Sequence, residues 1–390
     1  MPDLPAHFTL LQVTPELETG GAEQTTIDVA HAVVAQGGKA LVATRGGRMA
    51  TRLEADGGRL AQMPAQSKNP LVMLGNAARL IDLIRREKVS LVHARSRAPA
   101  FSALWAAHAT KVPFVATYHG VYNAKSGLKR WYNAVMTKGA VVIANSEYTR
   151  EHVIREHGVA ADKVVAIPRG VDLSRFEPDV VSADRIEALR QAWGVAPDER
   201  RLKVLLAGRL TRWKGQGLLV QAMALLKARG EDKVLLLLAG DDQGRKGYRA
   251  ELAAAIAQAG LEDAVKLVGH CDDMPAAYLL ADLAIAPSLE PEAFGRTAVE
   301  PQVMGRPVMA ADHGATRETV LPGETGWLVT PGDAEAWAAA LLEAIDIGAS
   351  GRQSMGRTAR VRARRLYSVD AMCEATLKVY AQVLGLERSS

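Results

Sequence analysis

The sequence predicts an α/β protein of two doubly wound domains, parallel sheets with helices on both faces, set facing one another across a cleft. Three observations predict it. Short β-type apolar runs alternate with amphipathic helical stretches almost from end to end, the order of repeated strand–helix–strand units. The chain has 390 residues, more than one hydrophobic core usually serves. A Pro-marked break, Phe176-Glu177-Pro178, is followed by one polar helical stretch and a second break at Ala196-Pro197-Asp198.

In the first half, strands are expected at residues 8–13, 40–44, 91–93, 114–117, 141–144 and 164–167. Helical periodicity fills residues 22–34, 74–86, 98–109 and 148–157. The second half repeats the theme with strands at 203–207, 234–239, 265–268, 283–286 and 308–310. The linker is expected near residues 177–181, which separates a first domain of residues 1–178 from a second of residues 179–368. Doubly wound sheets bind ligands beyond the carboxyl ends of their strands, so chemistry is sought just after each strand.

Composition narrows the class. Fractions of 48% apolar and 23% charged residues fit a globular chain and exclude wholesale disorder. The densest apolar run, residues 234–239, has strand length, so no transmembrane helix is expected. Asp3, Pro5 and His7 precede the first apolar run, unlike a secretory signal. Cys271 and Cys373 are too few for a disulfide framework or a zinc cluster, and the expected compartment is the reducing cytosol. Residues 1–172 hold 21 Lys/Arg against 14 Asp/Glu, a net of +7, whereas the remainder carries −2. A basic first half points to an anionic partner such as phospholipid headgroups, a phosphorylated acceptor or nucleic acid; ordinary scatter of surface charge is the other reading. With 5% aromatics, a base-stacking surface is not favoured.

Four constellations carry chemistry. After the first strand, Thr19-Gly20-Gly21-Ala22-Glu23 opens a helix whose N-terminus favours an anion, with glycines that permit close approach. A plain tight turn explains it equally. After the fifth strand, Tyr118-His119-Gly120 places an imidazole where it can meet a substrate hydroxyl or a phosphate, although a structural histidine fits too. The first strand of the second half ends in Gly208-Arg209, with Lys214-Gly215 before the next helix. A planar fork and a point charge there suit a departing diphosphate; solvated surface charges are the alternative. Finally, Glu292-Ala293-Phe294-Gly295-Arg296-Thr297 leads into a helix that carries Glu300. Paired carboxylates suit vicinal hydroxyls, and acids at a helix N-terminus are also placed for dipole reasons.

Gly20-Gly21-Ala22-Glu23, Tyr118-His119-Gly120, Asn145-Ser146, Pro168-Arg169-Gly170-Val171-Asp172, Arg175-Phe176, Gly208-Arg209 with Lys214-Gly215, Glu292 with Glu300, Gly305-Arg306-Pro307-Val308 and Gly323 with Gly326-Trp327-Leu328-Val329 occur in this order. Together they resemble the retaining family-4 glycosyltransferases of the GT-B fold, over about residues 8–345. The resemblance implies a nucleotide-diphospho-sugar donor, UDP- or GDP-linked, in the second domain and an acceptor held mainly by the first. The residue matching Glu300 would bind the donor ribose and the one matching Glu292 would lie by the sugar. Arg209 and Lys214 match a diphosphate clamp, and His119 a residue near the reacting sugar. Gly21, Gly208, Phe294, Gly295, Arg296 and Thr297 complete the expected donor set, and Gly20, Gly21, Glu23, Arg95, Arg97 and His119 the acceptor set. Catalytic roles are expected of His119, Arg209, Lys214 and Glu292. Arg169 stands where Asn is common, and Pro301 where Ala is usual.

In that fold the last helix crosses back, so residues 369–390 are expected to pack on the first domain. The stretch Glu292–Arg296, Asp312-His313-Gly314 and His93-Ala94-Arg95-Ser96-Arg97 looks like bacterial enzymes of lipopolysaccharide core or related envelope glycans. No Asp-x-Asp occurs in the sequence, so no metal is expected, and Arg209, Lys214 and helix dipoles would replace it. The expected activity is hexosyl transfer to an envelope glycan or glycolipid. A sugar-nucleotide epimerase or hydrolase of the same fold and a catalytically inactive nucleotide-binding protein are the alternatives. Residues 125–138 place Leu128, Trp131, Tyr132 and Val135 on one helix face, with Lys125, Lys129 and Arg130 beside them. Such a segment suits an anionic membrane surface, the inner face of the cytoplasmic membrane; an ordinary helix packed on the sheet is the other reading.

Overall fold

The computed structural model describes the chain apart from residues 1–3, 6, 19, 123–125, 245 and 387–390. Asp3, Thr19, Lys125 and the last residues of the C-terminal stretch therefore lie outside the described residues. The chain divides into two compact units, Met1–Gly170 with Val369–Ser390, and Val171–Ser368.

The first unit is built on seven parallel strands: β1 (Thr9–Val13), β2 (Lys39–Thr44), β3 (Arg59–Gln62), β4 (Leu91–Ala94), β5 (Phe114–Tyr118), β6 (Val141–Ala144) and β7 (Val164–Ala166). Their order is β3-β2-β1-β4-β5-β6-β7, which puts the change of winding direction between β1 and β4. Successive side chains of a strand point to opposite faces. Leu11, Leu41 and Val92 accordingly join one buried cluster with the helices Pro70–Glu87 and Arg97–Thr110. Leu10, Val42 and Leu91 join the other, against Gly21–Ala35 and the C-terminal helix Val369–Val383.

The second unit carries β8 (Leu202–Ala207), β9 (Val234–Ala239), β10 (Val265–Gly269), β11 (Leu283–Ala286), β12 (Val308–Ala311) and β13 (Gly326–Val329) in the order β10-β9-β8-β11-β12-β13. These pairings are parallel too. Val204, Leu206, Leu236 and Leu238 face the helices Gln216–Ala228 and Ala334–Asp346, while Leu205, Leu235 and Leu237 face Met274–Leu280. The winding changes direction between β8 and β11.

Three features depart from the sequence-based expectation. β3 and β13 are edge strands of only four residues each, too short for the strand pattern to mark them. The units meet at Gly170–Val171 rather than near residues 177–181. Val171 pairs with Ser368, and Glu177 receives Arg360 and Arg364, which ties residues 171–178 into the second unit. Residues 126–138 are not one continuous helix: Ser126 caps Gly127–Ala134, and a 3-10 turn, Val135–Thr137, follows.

Candidate functional site

In the second unit the site forms at the winding change. The strand β8 runs out into Gly208 and Arg209, and a 3-10 turn, Arg212–Lys214, leads to Gly215 at φ +79°. A Cβ at Gly215 would stand 2.2 Å from the Pro287 carbonyl oxygen, so only glycine allows this approach. The Leu289 amide donates to the Trp213 carbonyl at 2.6 Å. The loops that follow β8 and β11 are thus joined through backbone.

That seam sets the ion pair between Lys214 Nζ and Glu292 Oε1 at 2.5 Å, with the side chains 14% and 12% exposed. Ser288 Oγ donates to the same Oε1 at 2.7 Å, and the Lys214 ammonium lies 4.3 Å from the centre of the Trp213 ring. Glu292 is held from behind by its backbone: the Ala315 amide donates to its carbonyl, and Gly314, at φ +62°, leaves no room for a Cβ there. Arg209 is exposed, with one long bond of 3.4 Å to Gln243, while its carbonyl accepts from Gln216. Gly295, at φ +76°, starts the helix Arg296–Val303. Glu300 is buried inside that helix, where Arg296 Nε donates to Oε1 at 2.9 Å and Tyr278 donates to Oε2 at 3.1 Å. Burial first, and the Glu300 charge second, raise the Tyr278 phenol well above its ordinary value, so it stays a donor. Each Glu300 oxygen keeps a lone pair for a further donor.

Phe294 behaves differently from expectation. The Phe294 ring is buried edge-on to Tyr367, 5.9 Å between centroids, so it belongs to the core rather than to a donor surface. Arg296 spends its Nε on Glu300. Thr297 is half-buried in the first turn, and Gly208 passes under Lys214, where a Cβ would lie 3.7 Å from Lys214 Cδ.

In the first unit, Gly20 and Gly21 open the helix Gly21–Ala35. A Cβ on Gly20 would strike the Glu23 carboxylate, and one on Gly21 would strike the Arg169 guanidinium at 2.4 Å. Arg169 and Asn145 both donate to the His119 carbonyl at 3.1 Å. This brings Gly21, His119, Asn145 and Arg169 to one end of the sheet. Both ring nitrogens of His119 are buried and have no partner among the described residues. Burial, then the charges of Arg169 and Arg95, hold this imidazole well below its ordinary pKa, so it is neutral.

Arg95 corrects an expectation of acceptor contact. It is 2% exposed, and its Nε and Nη2 both donate to Gln12 Oε1, at 2.8 and 2.5 Å. It underlies the site instead of facing it. Beside it, His93 bridges Tyr380 of the C-terminal helix and Thr117 at 2.5 and 2.7 Å, a network that sequence reasoning missed because its members lie up to 287 positions apart. Arg97, two residues on from Arg95, is half-buried, stacks 4.0 Å over Tyr122 and donates to Asn133 at 2.9 Å. Among the described residues no three His, Cys, Asp or Glu side chains cluster as metal ligands, and no helix is long and apolar enough to cross a membrane.

The chain matches known proteins along most of its length. The Glycosyltransferase Family 4 model covers residues 19–175, and that of Glycosyl transferases group 1 covers residues 188–362. A D-inositol 3-phosphate glycosyltransferase of Xylanimonas cellulosilytica is 33% identical over 293 residues, 71% of this chain and 68% of that protein. The crystal structure of a glycosyltransferase from Rickettsia africae superposes with a TM-score of 0.89 at 32% identity, covering 98% of this chain and all of that one. Anabaena HepE in complex with UDP gives 0.82 at 26% identity, over 96% of this chain and all of that one. The chain therefore belongs to the glycosyltransferases that join a family 4 domain to a group 1 domain in the GT-B fold.

Proposed function

We propose that the protein is a retaining hexosyltransferase that moves a sugar from a UDP- or GDP-sugar to a hydroxyl of a cell-envelope glycan or glycolipid, without a metal ion. The observation that carries the reading is the convergence of Lys214, Glu292, Arg209 and Glu300 at the carboxyl ends of β8 and β11. Lys214 and Arg209 supply positive charge to the diphosphate as the bond to the sugar breaks. Glu292 Oε2, which has no partner among the described residues, accepts from a sugar hydroxyl while Oε1 holds the lysine. Glu300 accepts from the ribose hydroxyls.

His119, being neutral, offers hydrogen bonds to the reacting sugar rather than charge. Among the described residues no carboxylate is placed as an obvious nucleophile, which favours a same-face route in which the leaving phosphate takes the acceptor proton. Structures of Anabaena HepE with UDP and with UDP-glucose support a UDP-hexose donor. The motifs that look like lipopolysaccharide-core enzymes support an envelope acceptor. Leu128 and Trp131, 75% and 64% exposed beside Lys129, support peripheral contact with an anionic membrane on the cytoplasmic side. The relatives named D-inositol 3-phosphate glycosyltransferase favour a second reading, a small phosphorylated acceptor.

The test incubates the purified protein with UDP-, GDP- and ADP-sugars, with and without acceptor extract, and reads the product's anomeric configuration by NMR. An acceptor-dependent product with the donor's configuration is expected. Inversion, or equal donor consumption without acceptor, overturns the reading.

A further inference from the structure

The Glu292 carboxylate is gripped by one oxygen. Lys214 Nζ at 2.5 Å and Ser288 Oγ at 2.7 Å both donate to Oε1, and among the described residues nothing meets Oε2. The backbone beneath is fixed, because the Ala315 amide donates to the Glu292 carbonyl at 3.0 Å and a Cβ on Gly314 would stand 2.7 Å from that same oxygen. What is left to fix is the side chain. A single donor on Oε1 would let the carboxylate pivot about that bond, and a second donor on the other lone pair removes the pivot.

The two donors differ in kind. Lys214 is charged and has further N–H groups, which in the transferase reading serve the donor diphosphate. Ser288 is neutral and 2% exposed, and its hydroxyl donates to no other acceptor among the described residues. It is also built into the seam between the loops that follow β8 and β11. Gly215 rests on Pro287, the residue before it, and the amide of Leu289, the residue after it, donates to the Trp213 carbonyl at 2.6 Å. A hydroxyl held between two such contacts has little freedom left to lose, so its bond orients the carboxylate at small entropic cost.

We propose that Ser288 is a positioning residue for the donor sugar, resting on the transferase reading above. It sets the plane of the Glu292 carboxylate so that Oε2 faces one hydroxyl of the hexose, and through that atom it governs which hexose is transferred. Lys214 answers for the diphosphate and Ser288 for the sugar. Affinity and selectivity are thus divided between two donors on one oxygen.

The test uses the full chain with Ser288→Ala, Ser288→Thr, Glu292→Gln and the double variant Ser288→Ala/Glu292→Gln. Transfer to acceptor extract is measured with the epimer pairs UDP-glucose and UDP-galactose, and GDP-mannose and GDP-glucose. Isothermal titration gives the affinity of each nucleotide-hexose relative to UDP or GDP alone. In Ser288→Ala, kcat/KM for the preferred hexose is expected to fall about tenfold, the scale of one lost hydrogen bond, and the preference over its epimer to shrink with it. Affinity for the bare nucleotide stays at the parent's value, and Ser288→Thr, which keeps the hydroxyl, recovers most of the loss. Because Ser288 acts through Glu292, the double variant binds the nucleotide-hexose no more weakly, relative to the nucleotide, than Glu292→Gln alone. Parent-like kcat/KM and epimer preference in Ser288→Ala, no recovery in Ser288→Thr, a further loss in the double variant, or nucleotide affinity that falls in step overturns the proposal. A parent that transfers none of the four sugars instead strikes the transferase reading on which it rests.

Discussion

Lys214 and Glu292, 78 positions apart, form one short ion pair, Nζ to Oε1 at 2.5 Å, across two loops that meet through backbone. Each needs the other, since a mostly buried charge without its partner is poorly solvated. The pairing holds the ammonium and the carboxylate at the carboxyl ends of β8 and β11, where the proposed donor would meet both.

Lys214→Ala is expected to cripple transfer without unfolding the protein. A lost charged hydrogen bond costs about 1.5–3 kcal/mol. That corresponds to roughly 10- to 150-fold in rate, and to about 10²–10³-fold if the contact tightens as the diphosphate leaves. Steady-state kinetics and a circular dichroism spectrum check both halves; wild-type turnover contradicts the assignment.

Transfer is expected to proceed in excess chelator after dialysis. The sequence offers no Asp-x-Asp, and two cations flank the proposed diphosphate. Activity that vanishes and returns with magnesium or manganese means that the charge compensation is assigned to the wrong groups.

Stability is expected to fall as the pH drops below about 6.5, the ordinary imidazole value. His93 and His119 are both held well below that value, mainly by burial. The unfolded chain therefore takes up protons that the native protein refuses. Their contribution is complete above the unfolded pKa and is lost as pH falls, at up to about 1.4 kcal/mol per pH unit for each histidine. Urea midpoints measured from pH 7.5 to 5.0 check the slope, which should be shallower in His119→Gln. A midpoint that is flat over this range counts against buried neutral imidazoles.

Binding to anionic liposomes is expected at low salt and should weaken as salt rises. Polybasic attraction is worth about 1 kcal/mol per residue near such a surface. Arg130 is engaged with Glu156 at 2.8 Å, so Lys129→Ala and Trp131→Ala should matter more than Arg130→Ala. Co-sedimentation ranks the three variants; no binding by the parent removes membrane contact from the function.

What the sequence made legible was the rhythm of the central strands and the loops after them. Val234–Ala239 is continuous in its apolarity because it is buried on both faces, and Lys214, Glu292 and Glu300 follow strands whose order brings them together. Arg95 shows what was not legible. As a basic residue after β4 it reads like Arg97, yet Gln12, 83 positions away, takes its guanidinium inward. Phe294 similarly reads as part of a ligand loop until Tyr367 is seen beside it. Partners fixed by long-range packing leave no periodicity to read.

Gly215 has a mechanical consequence. Where its missing side chain lets the chain rest on Pro287, the segments 208–215 and 287–295 share a wall, and a shift in one is passed directly to the other. For anyone grafting donor preference from a relative, the smallest portable cassette is then both segments at once. One exchanged alone would arrive with the wrong thickness at the seam, and the mismatch would surface several residues away, at the carboxylate and the ammonium.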